Sequence, residues 1–174
     1  MKNDEIDSLP FGGWPLPEEY LVELGRIVAL WTTTEKALAL FLSKMSGFEL
    51  YDPRGTILFN NHTIPQKIDT LGCLVEQYVE DHPQLKDYPD VLSKLRKAQK
   101  SRNKYVHSAL YYDPEEKQVT ISFATTRGKL KTNIDEVKVV DLKRVVVEIA
   151  EANKALYKAV LGREIPLPWE NKSA

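Results

Sequence analysis

The sequence has one cysteine, no long hydrophobic run and no excess of either charge. The single cysteine, Cys73, excludes an internal disulfide and leaves no cysteine cluster for a metal, so a reducing cytoplasmic setting is expected. No stretch approaches the roughly 20 apolar residues that are needed to cross a bilayer. The N-terminus, MKNDEIDSLP, is acidic and lacks the apolar core of a signal peptide. We therefore expect a cytoplasmic protein without a membrane partner.

Basic residues are balanced by acidic ones, with 24 Lys and Arg against 25 Asp and Glu. A chain without a global positive field cannot hold nucleic acid by charge alone, so any RNA contact must be local. The sequence contains no glycine-rich phosphate loop. His62, His82 and His107 are far apart and lack the paired carboxylate spacing of a zinc or iron site. Neither a metal nor another cofactor is therefore expected.

The chain of 174 residues, 43% of them hydrophobic, suits one domain with a sizeable core. Residues 1–16 are polar and then rich in Gly and Pro, which predicts an N-terminal arm. Residues 163–174 contain prolines that a helix interior does not tolerate, which predicts a C-terminal tail. Residues 17–162 are interpreted as a mainly α domain, an up-and-down bundle of four main helices with a small β-hairpin insert before the last helix.

Apolar residues at helical spacing, together with cap and stop signals, predict the four main helices. These helices span about residues 17–45, 63–81, 89–109 and 141–162. The second begins with a capping box of Thr63 and Gln66, and Asp141 is the expected cap of the last. Residues 51–61 are turn-like at both ends and have room for a short helical piece. Alternating residues around turns at 113–114 and 126–129 predict two or three short strands.

Two charged residues fall on predicted apolar stripes. Glu35 lies between Trp31 and Leu38 on the first helix, and Arg102 lies on the apolar line of the third helix. A carboxylate on an apolar face needs a partner. One interpretation is a buried ion pair between Glu35 and Arg102 that holds the helices together. Such a pair does not exclude a function for either residue.

Arg102, Asn103 and His107 form the pattern Arg-Asn-x-x-x-His at the end of the third predicted helix. Arginine binds phosphate through two parallel hydrogen bonds, and histidine exchanges protons near neutral pH. Asn103 and His107 are one helical turn apart, so the amide can orient the imidazole. Arg102 starts about 140° away around the helix, but its long stem allows its guanidinium to reach the same cleft. The alternative for His107 is an ordinary helix-end histidine that interacts with the helix dipole.

The third predicted helix is also locally basic, and tyrosines follow it. Lys100 and Lys104 are candidate phosphate contacts on a path toward the motif, although a basic run is also typical of a solvated helix face. The whole run comprises Lys94, Arg96, Lys97, Lys100, Arg102 and Lys104. Tyr111 is a candidate for stacking on an RNA base, although tyrosines at such positions often serve packing instead.

The motif, in a small helical domain whose first helix carries a Trp and a Glu, resembles the HEPN superfamily. The matched positions are Arg102, Asn103 and His107, with Glu35 as a looser match. The resemblance extends over residues 18–162. One toxin branch of that superfamily continues the motif with Tyr two residues after the His. Here that position is Ala109, which argues against this branch.

The resemblance implies a metal-independent endoribonuclease that works as a homodimer, with Arg102, Asn103, His107 and Glu35 as catalytic residues. The ribose 2′-hydroxyl would attack the adjacent phosphate, and members act in toxin–antitoxin, phage-defence and RNA-processing systems, some with a cognate antitoxin protein. Other members are non-catalytic modules. The alternative function is thus a HEPN-like dimeric module that binds a nucleotide, RNA or a partner protein, and burial of the His107 ring would favour it.

Overall fold

The chain is mainly helical and carries a small antiparallel sheet before its last helix. A computed structural model describes residues 16–125, 131–162, 164 and 166. These residues form, in chain order, α1 (Glu18–Met45), α2 (Pro53–Asn60), α3 (Ile64–Tyr78), a 3-10 turn (Pro83–Leu85), α4 (Tyr88–Val106), β1 (Ala109–Asp113), β2 (Gln118–Thr125), β3 (Lys131–Val137) and α5 (Val139–Leu161). The predicted N-terminal arm except Leu16, most of the predicted C-terminal tail and the predicted turn at 126–129 lie outside the described residues.

Local signals explain most of the helix ends. The predicted capping box at the start of α3 is present, because Gln66 Oε1 accepts the backbone N–H of Thr63 at 2.8 Å. Gly47 and Gly162 follow α1 and α5 with φ of 84° and 67°. Such positive φ values suit glycine and end a helix. The short helix expected within residues 51–61 is present as α2, which begins at a proline with Asp52 as its cap.

Three predicted helix ends were wrong. The second predicted helix, α3, ends at Tyr78 and not near residue 81. The third predicted helix, α4, ends at Val106 and not near residue 109. Ala109 is the first residue of β1, and its backbone pairs with that of Ser122 on β2 instead of continuing the helix. The last helix, α5, begins at Val139, so Asp141 lies inside its first turn and is not the cap. Its carboxylate nevertheless accepts the backbone N–H of Lys138 at 3.1 Å, which stabilises that end.

The predicted β-hairpin is in fact part of a three-stranded antiparallel sheet with the order β1-β2-β3. The turn predicted at Asp113 joins β1 to β2, and its carboxylate accepts the backbone N–H groups of Glu115 and Glu116. Val119 and Ile121 of β2 are buried, whereas Thr120 between them is only half-buried. This alternation with a period of two shows that one face of the sheet covers a core.

The described chain divides into two compact units. Among the described residues, unit 1 comprises 16–28, 101–125 and 131–146, and unit 2 comprises 29–100, 147–162, 164 and 166. In unit 1 the buried apolar side chains come from Leu16 and the first part of α1, from Tyr105 of α4, from the inner face of the sheet and from the start of α5. Tyr20 Oη donates to the carbonyl of Val137 at 3.0 Å, which joins α1 to the end of β3. Burial is the main cause that raises the pKa of the Tyr20 phenol.

Unit 2 contains the larger apolar core. Its most deeply buried side chains are Trp31, Leu38, Leu42, Ile68, Leu95, Ile149 and Leu156. Each such side chain contributes roughly 1.5–3 kcal/mol through removal from water. Gly55 of α2 lies so close to α1 that an added Cβ would stand 1.7 Å from Ser43 Oγ. A side chain at position 55 is therefore excluded by this packing.

Some apolar residues of the helices are exposed. Val28 of α1 is 45% exposed and Tyr78 of α3 is 40% exposed, whereas Ile27 is fully buried. The residues four and seven positions after Ile27 lie on the same inner face of α1 as Ile27. Val28 is one position after Ile27, so its side chain points outward. Cys73 is exposed on α3. Within the described part of the chain, every helix is too short or too polar to traverse a lipid bilayer.

Candidate functional site

The motif residues lie in unit 1 at the end of α4. Because α4 ends at Val106, the His107 side chain follows the helix and is exposed, although its backbone N–H still donates to the Asn103 carbonyl at 3.3 Å. Arg102 and Asn103 lie in the last turn of α4, and both are half-buried. The motif is therefore anchored by a helix and ends in a ring that solvent can reach.

One guanidinium nitrogen connects all three motif side chains. Arg102 Nη1 donates to Asn103 Oδ1 at 3.1 Å and lies 2.7 Å from His107 Nε2. The structure thus brings Arg102 and His107 together. The sequence predicted that the Asn103 amide orients the imidazole directly. Among the described residues, Asn103 instead contacts the Arg102 guanidinium, and the guanidinium contacts the imidazole.

The 2.7 Å contact is a hydrogen bond only when the ring accepts at Nε2. A guanidinium has N–H donors and no acceptor, so His107 Nε2 must be the acceptor. An imidazole that accepts at Nε2 is neutral and carries its proton on Nδ1. The arrangement in the structure is therefore a neutral His107 whose Nε2 lone pair is engaged by Arg102.

The ammonium group of Lys104 contacts other residues of unit 1. Its Nζ lies 3.2 Å from Asp135 Oδ2 of β3 and 5.6 Å from the ring centroids of both Tyr105 and Phe123. Burial is the main cause that raises the pKa of the Tyr105 phenol, and the Lys104 charge partly offsets it. The carboxylate and two rings surround the ammonium group with favourable contacts. Lys104 thus ties the last turn of α4 to the sheet.

The register of the sheet separates two predicted RNA contacts. Asp135, the partner of Lys104, pairs with the buried Ile121 and belongs to the inner face. Tyr111 pairs with Thr120, so its side chain belongs to the outer face, where it is half-buried. Successive residues of a strand point to opposite faces. Tyr111 and the Lys104–Asp135 pair therefore lie on opposite sides of the sheet.

The rest of the basic run belongs to unit 2 and is largely neutralised. Three of its cations form ion pairs: Lys94 with Asp90 at 2.6 Å, Arg96 with Asp69 at 2.8 Å and Lys97 with Glu148 at 3.1 Å. Lys100 is exposed, and in the described part of the chain no ion pair involves it. These contacts favour the interpretation of the run as a solvated helix face, with Lys100 as the cation that remains available.

Glu35 has the partner that its position on an apolar face requires. Its Oε1 accepts the indole N–H of the buried Trp31 at 2.7 Å. Lys67 of α3 is also close, and burial lowers the pKa of its amine while the Glu35 carboxylate partly offsets that effect. The ion pair of Glu35 with Arg102 stays a prediction.

Sequence reasoning missed the contributions of Trp31 and Lys67 to the Glu35 environment. Trp31 precedes Glu35 by four residues, which is the spacing that brings helical side chains together. Lys67 falls on the apolar stripe of α3, beside Ile68 and Leu71, and is 6% exposed. The sequence therefore contained two cations on apolar stripes that could face Glu35. Arg102 was predicted as its partner, and Lys67 was not considered.

Replacing Glu35 by alanine should lower the free energy of unfolding by about 1–3 kcal/mol, because the buried Trp31 indole loses this acceptor. Glu35→Gln is the matched control, since an amide oxygen can still accept the indole N–H. Urea unfolding monitored by tryptophan fluorescence measures both variants. Identical midpoints for the wild type and Glu35→Ala would show that this hydrogen bond contributes nothing to stability.

Two cavities of the described chain are lined by residues of unit 2 and by none of the motif residues. One, of about 500 Å³, is lined in unit 2 by residues near the ends of α1 and α3, including Lys44, Tyr78 and His82. The other, of about 990 Å³, is lined by residues of α4 and α5 in the same unit. In residues 16–125, 131–162, 164 and 166, no three His, Cys, Asp or Glu side chains are grouped as ligands for a metal.

Comparisons with protein-family models, curated proteins and solved structures give no match for this chain. The likeness to the HEPN superfamily therefore rests on the motif residues and on the mainly helical domain that carries them. The geometry of Arg102, Asn103 and His107 is the basis on which a function can be argued.

Proposed function

We propose that this protein is a HEPN-type, metal-independent endoribonuclease that cleaves RNA through the ribose 2′-hydroxyl. The observation that carries the proposal is the 2.7 Å contact between Arg102 Nη1 and His107 Nε2, with Asn103 Oδ1 at 3.1 Å from the same nitrogen. A phosphate-binding cation and a proton-transfer group thus share one exposed site. This combination is what phosphodiester cleavage without a metal requires.

In the proposed reaction, the 2′-oxygen attacks the adjacent phosphorus and the bond from phosphorus to the 5′-oxygen breaks. His107 handles the proton transfers, and the Arg102 guanidinium stabilises the negative charge that develops on the phosphorane oxygens. Asn103 positions the guanidinium through its side-chain oxygen. The products are a 2′,3′-cyclic phosphate end and a 5′-hydroxyl end, and DNA is not a substrate because it lacks the 2′-hydroxyl.

Exposure of His107 supports an enzyme more than a purely structural motif. A ring sealed in a core cannot exchange protons with a substrate, whereas this ring lies beyond the helix end. The wild-type protein, incubated with end-labelled RNA in excess EDTA, should release fragments with 2′,3′-cyclic phosphate ends. A DNA of the same sequence is the control. Intact RNA after prolonged incubation would contradict the proposal.

The proposal includes a homodimer. A single motif offers one imidazole, whereas in-line cleavage benefits from an acid and a base on opposite sides of the phosphate. Light scattering at micromolar concentration should therefore give about twice the chain mass of 19.9 kDa. A species of the single-chain mass alone would contradict this part of the proposal.

Three further expectations belong to the same proposal. The long helices form an up-and-down bundle, as in the superfamily that the motif resembles. Glu35 is a fourth catalytic residue, as the resemblance implies. The protein is cytoplasmic and works in a toxin–antitoxin or phage-defence setting, with a cognate antitoxin protein as partner. An adjacent gene for a nucleotidyltransferase or a small partner protein would support this setting.

Lys100 is the proposed phosphate contact of the basic run. Lys100→Ala should weaken binding of a non-cleavable 2′-O-methyl RNA and reduce the slope of log affinity against log salt by about 0.7, the value for one contact with a single strand. Lys97→Ala is the matched control, because Lys97 already pairs with Glu148. Fluorescence anisotropy across a salt series measures both. Equal slopes for the two variants would remove Lys100 from the site.

The alternative is a non-catalytic HEPN-like module that binds RNA, a nucleotide or a protein. The observation in its favour is that Arg102 occupies the Nε2 position of His107, which prevents that nitrogen from taking a proton. Under this alternative, the wild type binds RNA but cuts none, and His107→Ala binds as well as the wild type. The cleavage assay in EDTA therefore separates the two functions.

A further inference from the structure

The contact between Arg102 and His107 has a chemical consequence for any reaction at this site. A general base needs a free lone pair that points at the proton it removes. His107 Nε2 uses its lone pair to accept from Arg102 Nη1 at 2.7 Å. The exposed ring is therefore accessible to solvent but is not ready to act as a base at Nε2 in this conformation.

The guanidinium donates to two neutral acceptors through one of its nitrogens. Its Nη1 donates to the amide oxygen of Asn103 and to the neutral imidazole of His107. A phosphodiester is a stronger acceptor, because hydrogen bonds to an ionised group are about twice as strong as those between neutral groups. It can also take two parallel N–H donors from one arginine. An incoming phosphodiester thus competes directly with both neutral acceptors.

We propose that Arg102 is a latch on His107 that the phosphodiester substrate itself opens. When the phosphate takes the guanidinium, Nε2 of His107 loses its hydrogen bond and gains the lone pair that proton removal requires. The site is then competent only while a phosphodiester occupies it. This inference rests on the proposed ribonuclease function, since it describes how that site would become active.

The state of the His107 ring nitrogens shows directly whether Arg102 is hydrogen-bonded to Nε2. Nitrogen-15 NMR of the protein labelled in its histidine rings distinguishes a protonated nitrogen, a hydrogen-bonded acceptor and a free lone pair. The three histidines of the chain are assigned with His107→Ala, His82→Ala and His62→Ala. The probe is a 2′-O-methyl dinucleotide, which presents a phosphodiester but cannot be cleaved. Its binding is followed separately through the phosphorus-31 resonance.

We expect the free protein to show Nδ1 of His107 protonated and Nε2 as a hydrogen-bonded acceptor. Saturation with the dinucleotide should move the Nε2 resonance toward that of a free lone pair. Arg102→Met should show a free Nε2 from the start and no shift during titration. Arg144→Met is the matched control, because Arg144 is exposed and pairs with Asp141 outside the motif, and it should behave as the wild type.

Asn103→Ala provides a second variant if Arg102→Met does not fold. It removes one of the two acceptors that Nη1 of Arg102 contacts, so the dinucleotide should open the latch at a concentration about fivefold lower. An Nε2 resonance that is already free in the unliganded wild type would overturn the proposal. Saturation without a shift of Nε2 would also overturn it, and so would a failure of the dinucleotide to bind at millimolar concentration.

The outcomes for the latch and for the ribonuclease are distinguishable. If RNA is cleaved but Nε2 does not shift, the ribonuclease stands and the latch is wrong. If Nε2 shifts but no RNA is cleaved, Arg102 still exchanges His107 for a phosphodiester, and the protein is a binding module. The two measurements therefore test different steps of the argument.

Discussion

Replacing His107 by alanine should lower the rate of RNA cleavage by about 10²–10⁴-fold, because the imidazole is the proposed proton-transfer group. The side chain lies beyond the last turn of α4 and is exposed, so it contributes little packing. We expect the free energy of unfolding to change by no more than about 0.5 kcal/mol. Cleavage rates on labelled RNA in EDTA and urea unfolding of both proteins measure the two quantities.

His82→Ala is the matched control for this loss. His82 is also exposed but lies in unit 2, outside the motif, so its replacement should leave the rate at the wild-type value. Undiminished cleavage by His107→Ala would exclude His107 from the reaction. An equal loss in both variants would show that the assay responds to general damage and not to the imidazole.

Replacing Arg102 by alanine should lower the cleavage rate by about 10²–10³-fold, the usual effect of removing one donor that stabilises transition-state charge. The guanidinium also connects Asn103 and His107, so its loss removes the organisation of the site as well. Because Arg102 is half-buried, a melting curve must accompany the rate. Guanidinium chloride, at concentrations well below those that unfold proteins, should restore part of the activity of this variant.

Arg144→Ala is the control for Arg102→Ala, since Arg144 is an exposed arginine of the same unit that pairs with Asp141 at 3.1 Å. It should keep the wild-type rate. A fully active Arg102→Ala protein with an unchanged melting temperature would contradict the assigned role in charge stabilisation. A variant that melts early and gains no activity from guanidinium would instead assign Arg102 a structural role.

The helices were predictable because their signals are local. A capping box depends on residues three apart, as with Thr63 and Gln66, and it forms as expected at the start of α3. The end of α4 was not predictable in this way. Helical periodicity continues past Val106, but the pairing of Ala109 with Ser122 ends the helix earlier. Strand pairing brings together residues that are distant in the chain, and a periodic pattern does not contain that information.

The candidate site, too, was predictable from the sequence only in part. The residue types at 102, 103 and 107 are visible in the sequence and indicate phosphate chemistry. The partner of Lys104 is Asp135, which lies 31 residues away on β3. A predicted RNA contact therefore turns out to join a helix to a sheet. Tyr111, another predicted contact, faces the other side of that sheet because of the strand register.

The sequence by itself determined that the chain is mainly helical, that α3 begins with a capping box, and which residues form the Arg-Asn-x-x-x-His pattern. These properties follow from spacing and from side-chain chemistry, which act over a few residues. Only the tertiary structure decided which acceptor each donor uses. The guanidinium of Arg102 donates to Nε2 of His107, and the ammonium group of Lys104 donates to the carboxylate of Asp135 on β3. The end of a helix and the direction of a long side chain beyond it depend on the packing of segments that are distant in the sequence. For this reason the fold, and not the local sequence, decided that the Nε2 lone pair of His107 accepts from Arg102.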